Sequence, residues 1–133
     1  MIPPLNSAGC LPPGVHKATL DEVEKRFGEL SEIRRVQMES IRWMVECAVR
    51  TGVKRIVLNG SFVSDIIEPN DVDCVLLISK GFPEDEGAEK ELRQGFPFLE
   101  MALVGEPDFS DLVDFTFASD RYGIPKGMIE VEP

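Results

Sequence analysis

The sequence predicts an α+β domain. Three observations carry this. Residues 31–50 repeat apolar side chains at helical spacing between a serine and a glycine. The runs 54–59 and 71–78 are rich in β-branched and aliphatic residues and are bounded by turn formers. The 133 residues, 43% hydrophobic and 29% charged, suffice for one core and leave little room for a second.

Residues 1–18 hold Pro3, Pro4, Pro12, Pro13, Gly9 and Gly14. This composition predicts an extended arm outside regular structure, so residues 19–133 are expected to form the domain. His16, the one histidine, reads as a local hydrogen-bonding group rather than a catalyst. Thr19-Leu20-Asp21-Glu22 is a capping box that opens a helix to about residue 27, stopped by Gly28. Ser31 caps a longer helix to about Arg50, closed by Gly52. On its wheel Ile33, Val36, Met38, Ile41, Trp43, Met44, Val45, Cys47 and Ala48 share a broad apolar arc. Arg35, Glu39, Arg42 and Glu46 fill the rest, pairing at i,i+4 on a solvated face. Trp43 is thereby expected in the core.

Residues 54–59 form a strand, followed at once by Gly60-Ser61. Residues 62–67 suit one helical turn, and Glu68-Pro69-Asn70 a reverse turn. Residues 71–78 form a second, mostly apolar and hence buried strand. A solvated loop then leads into a helix over about 86–94. Residues 97–104 show no clear period and are compatible with helix. After the break at Gly105-Glu106-Pro107-Asp108, residues 112–117 alternate as a third strand. A short edge strand is expected at 128–131.

The formal net charge is −10 and the isoelectric point near 4.5. Such a surface repels nucleic-acid backbones and anionic lipid. No run of about 18 apolar residues offers a membrane span, and the first residues lack the basic and apolar regions of a signal peptide. Cys10, Cys47 and Cys74 are odd in number and form no C-x-x-C pair. They read as reduced thiols of a cytoplasmic protein. A Cys3His zinc set with His16 is the weaker reading, because Cys47 and Cys74 fall on apolar faces.

The chemistry concentrates in Leu58-Asn59-Gly60-Ser61 and Asp71-Val72-Asp73. Side chains alternate along a strand, so Asp71 and Asp73 share a side, roughly 6.5 Å apart at Cα. Two carboxylates so placed repel each other unless a cation sits between them. Mg²⁺ takes hard oxygen ligands from one or two carboxylates plus substrate phosphates, which suits the pair. Gly60 lets a backbone approach closely, and Ser61 offers a hydroxyl and N–H groups to an anionic phosphate. If the third strand lies beside the second, Asp114 completes a metal cage. Each feature alone has a plain reading, as a turn or a solvated strand edge; together, in this order, they point to metal–phosphate chemistry.

This pattern resembles the DNA polymerase β-like nucleotidyltransferase superfamily. The matching residues are Leu58 to Ser61, Asp71-Val72-Asp73 and Val113-Asp114-Phe115. More closely, the chain is similar to a subgroup of small bacterial proteins, through Leu11-Pro12-Pro13-Gly14-Val15-His16, Gly60 to Val63 and Pro125-Lys126-Gly127. The resemblance spans about residues 11–132. It implies a catalytic palm: a mixed sheet of about three to five strands with helices on one face. It also implies two-metal transfer of a nucleoside monophosphate from an NTP to an acceptor hydroxyl, with Mg²⁺ or Mn²⁺ as cofactor. Asp71, Asp73 and Asp114 would be the metal ligands and catalytic groups, and Gly60 and Ser61 would hold the nucleotide's terminal phosphates, with the cation for them coming from elsewhere in the chain: Lys126 first, then Arg121 or Lys80. Two departures stand out. Phe62-Val63-Ser64-Asp65-Ile66-Ile67 lacks the arginine that many active members carry after Gly-Ser. The chain also has no room for an acceptor-holding domain, so the acceptor, a protein partner or a second copy would complete the site. The alternative expectation is a catalytically silent nucleotide- or protein-binding module of the kind found in toxin–antitoxin pairs.

Overall fold

The computed structural model describes all residues, Met1–Pro133. It is an α+β fold built on one mixed five-stranded sheet. The strands are β1 (Gly14–Thr19), β2 (Arg55–Asn59), β3 (Val72–Leu77), β4 (Leu99–Val104) and β5 (Gly127–Glu132), in spatial order β1-β5-β2-β3-β4. β2 is antiparallel to β3 and β5, whereas the β1–β5 and β3–β4 pairs are parallel.

The helices are α1 (Leu20–Val23), α2 (Glu32–Thr51), α3 (Glu86–Gln94) and α4 (Asp108–Asp111). α1 and α4 each run on into a wider helical turn, Glu24–Gly28 and Leu112–Thr116. The Thr19–Glu22 capping box forms, with each partner bonding the other's backbone N–H. Ser31 caps α2, and Gly52 ends it at φ 86°, a left-handed conformation that side chains with a Cβ resist. No helix is long and apolar enough to cross a membrane.

Strand alternation sorts the core into two layers. Ile56, Leu58, Val72, Cys74, Leu76, Ile129 and Val131 face α1, α2 and α3, meeting Val23, Phe27, Ile41, Met44, Val45, Ala48 and Leu92. Val57, Val75 and Met128 face the other way, where Phe109 and Val113 cover them. Helices thus occupy one face fully, and α4 with its following turn covers part of the second.

Four expectations are corrected. First, residues 14–19 of the expected arm are strand β1, because β5 supplies a parallel partner for its whole length. Second, β5 is internal rather than an edge, lying between β1 and β2. Third, residues 112–116 are helical and residues 99–104 are the strand. The Glu106 carboxylate accepts from the Ser110 N–H and hydroxyl, which starts a helical turn at Pro107. Phe109 and Val113, four apart, then bury together on the sheet. Leu99, Met101 and Leu103 alternate onto the main core instead.

Fourth, α2 is rotated from its expected face. Trp43 and Val36 are 53% and 44% exposed, while Arg34, Gln37 and Ser40 are buried. Arg42 pairs with Glu24 and Asp21 rather than Glu46. The reason is the polar demand of the chain beneath the helix, described next.

Candidate functional site

The Gly-Ser turn and the D-x-D strand meet at one end of the sheet. Asn59 ends β2 and pairs in register with Asp73 of β3, which pairs in register with Glu100 of β4. Directly paired residues share a face, so Asn59, Asp73 and Glu100 form a polar row across three strands on the face opposite α2. Gly60 follows Asn59 at φ 84°, ψ −159°, a backbone region that belongs to glycine. A Cβ there would stand 2.6 Å from Asp73 Oδ2. The missing side chain therefore gives the carboxylate its place.

Burial raises the pKa of Asp73. The neighbouring Glu100 carboxyl, by charge and by hydrogen bond, and Asp71 push the same way, while the Lys126 ammonium opposes them. Of the sequence candidates, Asp71 and Lys126 thus lie near enough to Asp73 to act on its charge, and Glu100 joins them. Asp114 does not join them on a strand: it lies exposed in the helical turn after α4. Glu100 holds the place beside β3 that the sequence reading gave to Asp114. Its signal was present in Leu99-Glu100-Met101, an acid between apolar residues, but Pro97 and the lack of turn residues within 97–104 hid the strand.

The linker between Gly60 and Asp71 is fixed from below by α2. Arg34 is fully buried and donates to the backbone carbonyls of Phe27 (3.1 Å), Ser61 (3.3 Å), Phe62 (2.7 Å) and Ser64 (2.9 Å). It also bonds the Ile66 carbonyl through Nε and a terminal nitrogen. Its guanidinium stacks on the Phe62 ring, 5.3 Å from the centroid. Burial lowers its pKa, with the nearby Asp65 charge acting against this. Gln37, one turn on, donates to the Pro69 carbonyl at 2.6 Å. Buried carbonyls need donors, and these two side chains supply them along the loop that carries Ser61 and leads into Asp71. Ser64 Oγ adds a bond to the Ser61 carbonyl at 2.6 Å.

Next to the row lies a groove of about 510 Å³ lined by Asp73, Cys74, Glu100, Met101, Ala102 and Phe117. One end is acidic and the floor apolar. No cation lines it.

The residues fit a hard divalent cation in kind. Asp71, Asp73 and Glu100 offer carboxylate oxygens, the donors Mg²⁺ takes. Asn59 is 1% exposed, and its Oδ1 meets no donor, which leaves a buried acceptor without a partner beside the carboxylates. As the side chains stand, no three carboxylate, thiol or imidazole groups converge to metal-binding geometry. Asp73 and Glu100 instead stand in register on neighbouring strands, and the nearness of Glu100 adds to burial in raising the Asp73 pKa. A bound cation would offset the repulsion between the two carboxylates.

The remaining sequence candidates have structural roles. His16 Nε2 bonds the Pro12 carbonyl at 2.7 Å. Cys10, Cys47 and Cys74 form no disulfide, and burial drives the Cys74 thiol far above its ordinary range.

No curated protein and no solved structure matches the chain. Residues 3–132 match the family described as "Family of unknown function (DUF6932)", and with nearly its whole length covered the chain belongs to that family.

Proposed function

We propose that the chain is a Mg²⁺-dependent nucleotidyltransferase of the cytoplasm, moving a nucleoside monophosphate from an NTP to an acceptor hydroxyl. The observation that supports this most is the row Asn59–Asp73–Glu100 beside the Gly60 turn, with Asp71 and Lys126 near it. In this reading Asp71, Asp73 and Glu100 would hold the metal, which when bound would stabilise the charge that develops on the attacking and leaving oxygens. The Gly60–Ser61 turn and Lys126 hold the terminal phosphates. The acceptor oxygen attacks the α-phosphorus, the bond to the β-phosphate oxygen breaks, and pyrophosphate leaves. Glu100 or Asp73 takes the hydroxyl proton.

A second reading, a silent nucleotide- or protein-binding module, draws on one observation. No cation follows Gly60-Ser61 in the loop, and the arginine nearest to it, Arg34, is wholly engaged by carbonyls. Thermal shift with each NTP, with and without Mg²⁺, tests both. Ligand at about 100 Kd adds ~2.7 kcal/mol, several degrees for a domain this size. A Mg²⁺-dependent rise in wild type that is lost in Asp73→Asn is the expected result. No rise with any NTP removes the nucleotide reading. A Mg²⁺-dependent rise with no turnover on hydroxyl acceptors leaves the silent module.

A further inference from the structure

The two edges of the sheet are treated differently. The outer edge of β1 meets the chain's own start at one point: the Met1 ammonium donates to the Lys17 carbonyl at 3.1 Å and pairs with Glu22. The outer edge of β4 is bare. Phe98 O and Val104 O accept from the β3 side, from Val72 N–H and Ile78 N–H. Carbonyl direction alternates along a strand, so Met101 and Leu103 turn their N–H and C=O outward, where no protein group bonds them. Leu99-Glu100-Met101-Ala102-Leu103-Val104 also lacks the lysines and prolines that normally blunt an open edge.

Charge says what fits there. Residues 84–111, which contain β4 with α3 before it and α4 after it, hold nine carboxylates against two cations, Lys90 and Arg93. Arg93 is already paired with Glu89. Glu91 is paired with Arg50 of α2, so the remaining excess of carboxylates lies in the segments before and after β4 in the chain, with Glu100 on the strand itself.

We propose that β4 is the docking edge for an extended, cationic, hydroxyl-bearing peptide segment, which adds as a sixth strand and is the acceptor. The catalytic half of this statement rests on the nucleotidyltransferase reading; the docking half does not. An added strand lies about 4.7–4.9 Å beyond β4, and its residue opposite Glu100 has a Cβ about 4.5–5.5 Å from that of Glu100. A serine or threonine there, on the open face, adjoins Glu100 and stands one strand from Asp73. The nucleotide turn lies on the far side, at β2, so donor and acceptor approach the carboxylates from opposite flanks. Main-chain bonds supply affinity and the alternate side chains supply selectivity.

The test uses the full chain and a blocked peptide of alternating valine and threonine flanked by lysines. Controls replace the lysines with glutamates or place a proline at the centre. Binding is read by fluorescence polarisation, and amide exchange at Met101 and Leu103 by mass spectrometry. Expected are binding by the lysine peptide alone, exchange slowed at least about tenfold at both amides, and loss of binding in Met101→Pro, a change an edge strand tolerates. Should that variant fold poorly, the wild-type exchange data decide. No binding up to ~1 mM, or binding that leaves both amides unprotected, overturns the proposal. So does sedimentation as a dimer with both amides protected before peptide is added, since the edge is then filled by a second copy. Label transfer from an α-labelled NTP to the threonines separates the two readings. Docking without NTP binding or transfer keeps the edge and removes the nucleotidyltransferase, whereas Mg²⁺-dependent NTP binding without docking does the reverse.

Discussion

Asp73 is partly buried between Glu100 and Asp71 with only Lys126 offsetting them, so its charge is costly to the metal-free fold. Asp73→Asn is therefore expected to hold or raise the melting temperature of the metal-free protein while removing Mg²⁺-dependent NTP stabilisation. A fall of several degrees would make the carboxylate a structural element instead. Glu100 and Asp114 are separated by the same assay. Glu100→Gln is expected to weaken Mg²⁺·NTP binding at least about tenfold, ~1.4 kcal/mol, and Asp114→Asn to leave it within about twofold. Equal losses would return Asp114 to the site. Gly60, Ser61, Asp71 and Asp73 were legible in the sequence because glycine after a strand and a D-x-D repeat are local patterns; Lys126 was only one of three cations, with Arg121 and Lys80, that the sequence offered. Glu100 and Asn59 were not. They join the site only through the cross-strand register, which the linear sequence does not display.

At the scale of elements, the amphipathic segments with clear caps were read well: α1, α2, α3, β2 and β3 fall within a few residues of expectation. The failures came where two periods compete. Leu112-Val113-Asp114-Phe115 alternates like a strand, yet Phe109 and Val113 at helical spacing bury onto the sheet first. α2 was placed correctly and oriented wrongly, because hydrophobicity alone does not count the carbonyls of a neighbouring loop. Arg34 serves four of them and the Phe27 carbonyl as well. Arg34→Met leaves those groups buried without donors, and at about 1–3 kcal/mol for an orphaned group the loss of stability is expected to exceed ~3 kcal/mol in urea unfolding. Val36→Ala on the exposed face of the same helix is expected within ~0.5 kcal/mol. Similar losses for both would show that α2 is held by its outer face.

Across the whole molecule, a net charge of −10 on 133 residues opposes compaction through self-repulsion. Few of the carboxylates are in ion pairs, and most of those pairs are exposed. Screening shortens the repulsion to about 3 Å at 1 M salt. The melting temperature of the metal-free protein is thus expected to rise with sodium chloride, and to rise less in Asp73→Asn. A fall with salt would mean that the ion pairs outweigh the repulsion.

The position of β5 bears on how this chain comes together during synthesis. Only β2, β3 and β4 have their mutual partners while residues up to 126 are emerging. β1, made first, has no neighbour until β5 arrives, more than a hundred residues later, to slot between it and β2. Pairing across so long a separation is slow to nucleate. A ribosome would therefore carry a half-built sheet with two open flanks, and a chaperone that shields β1 and β2 during that interval would raise the yield of folded protein more than one acting on β3 or β4.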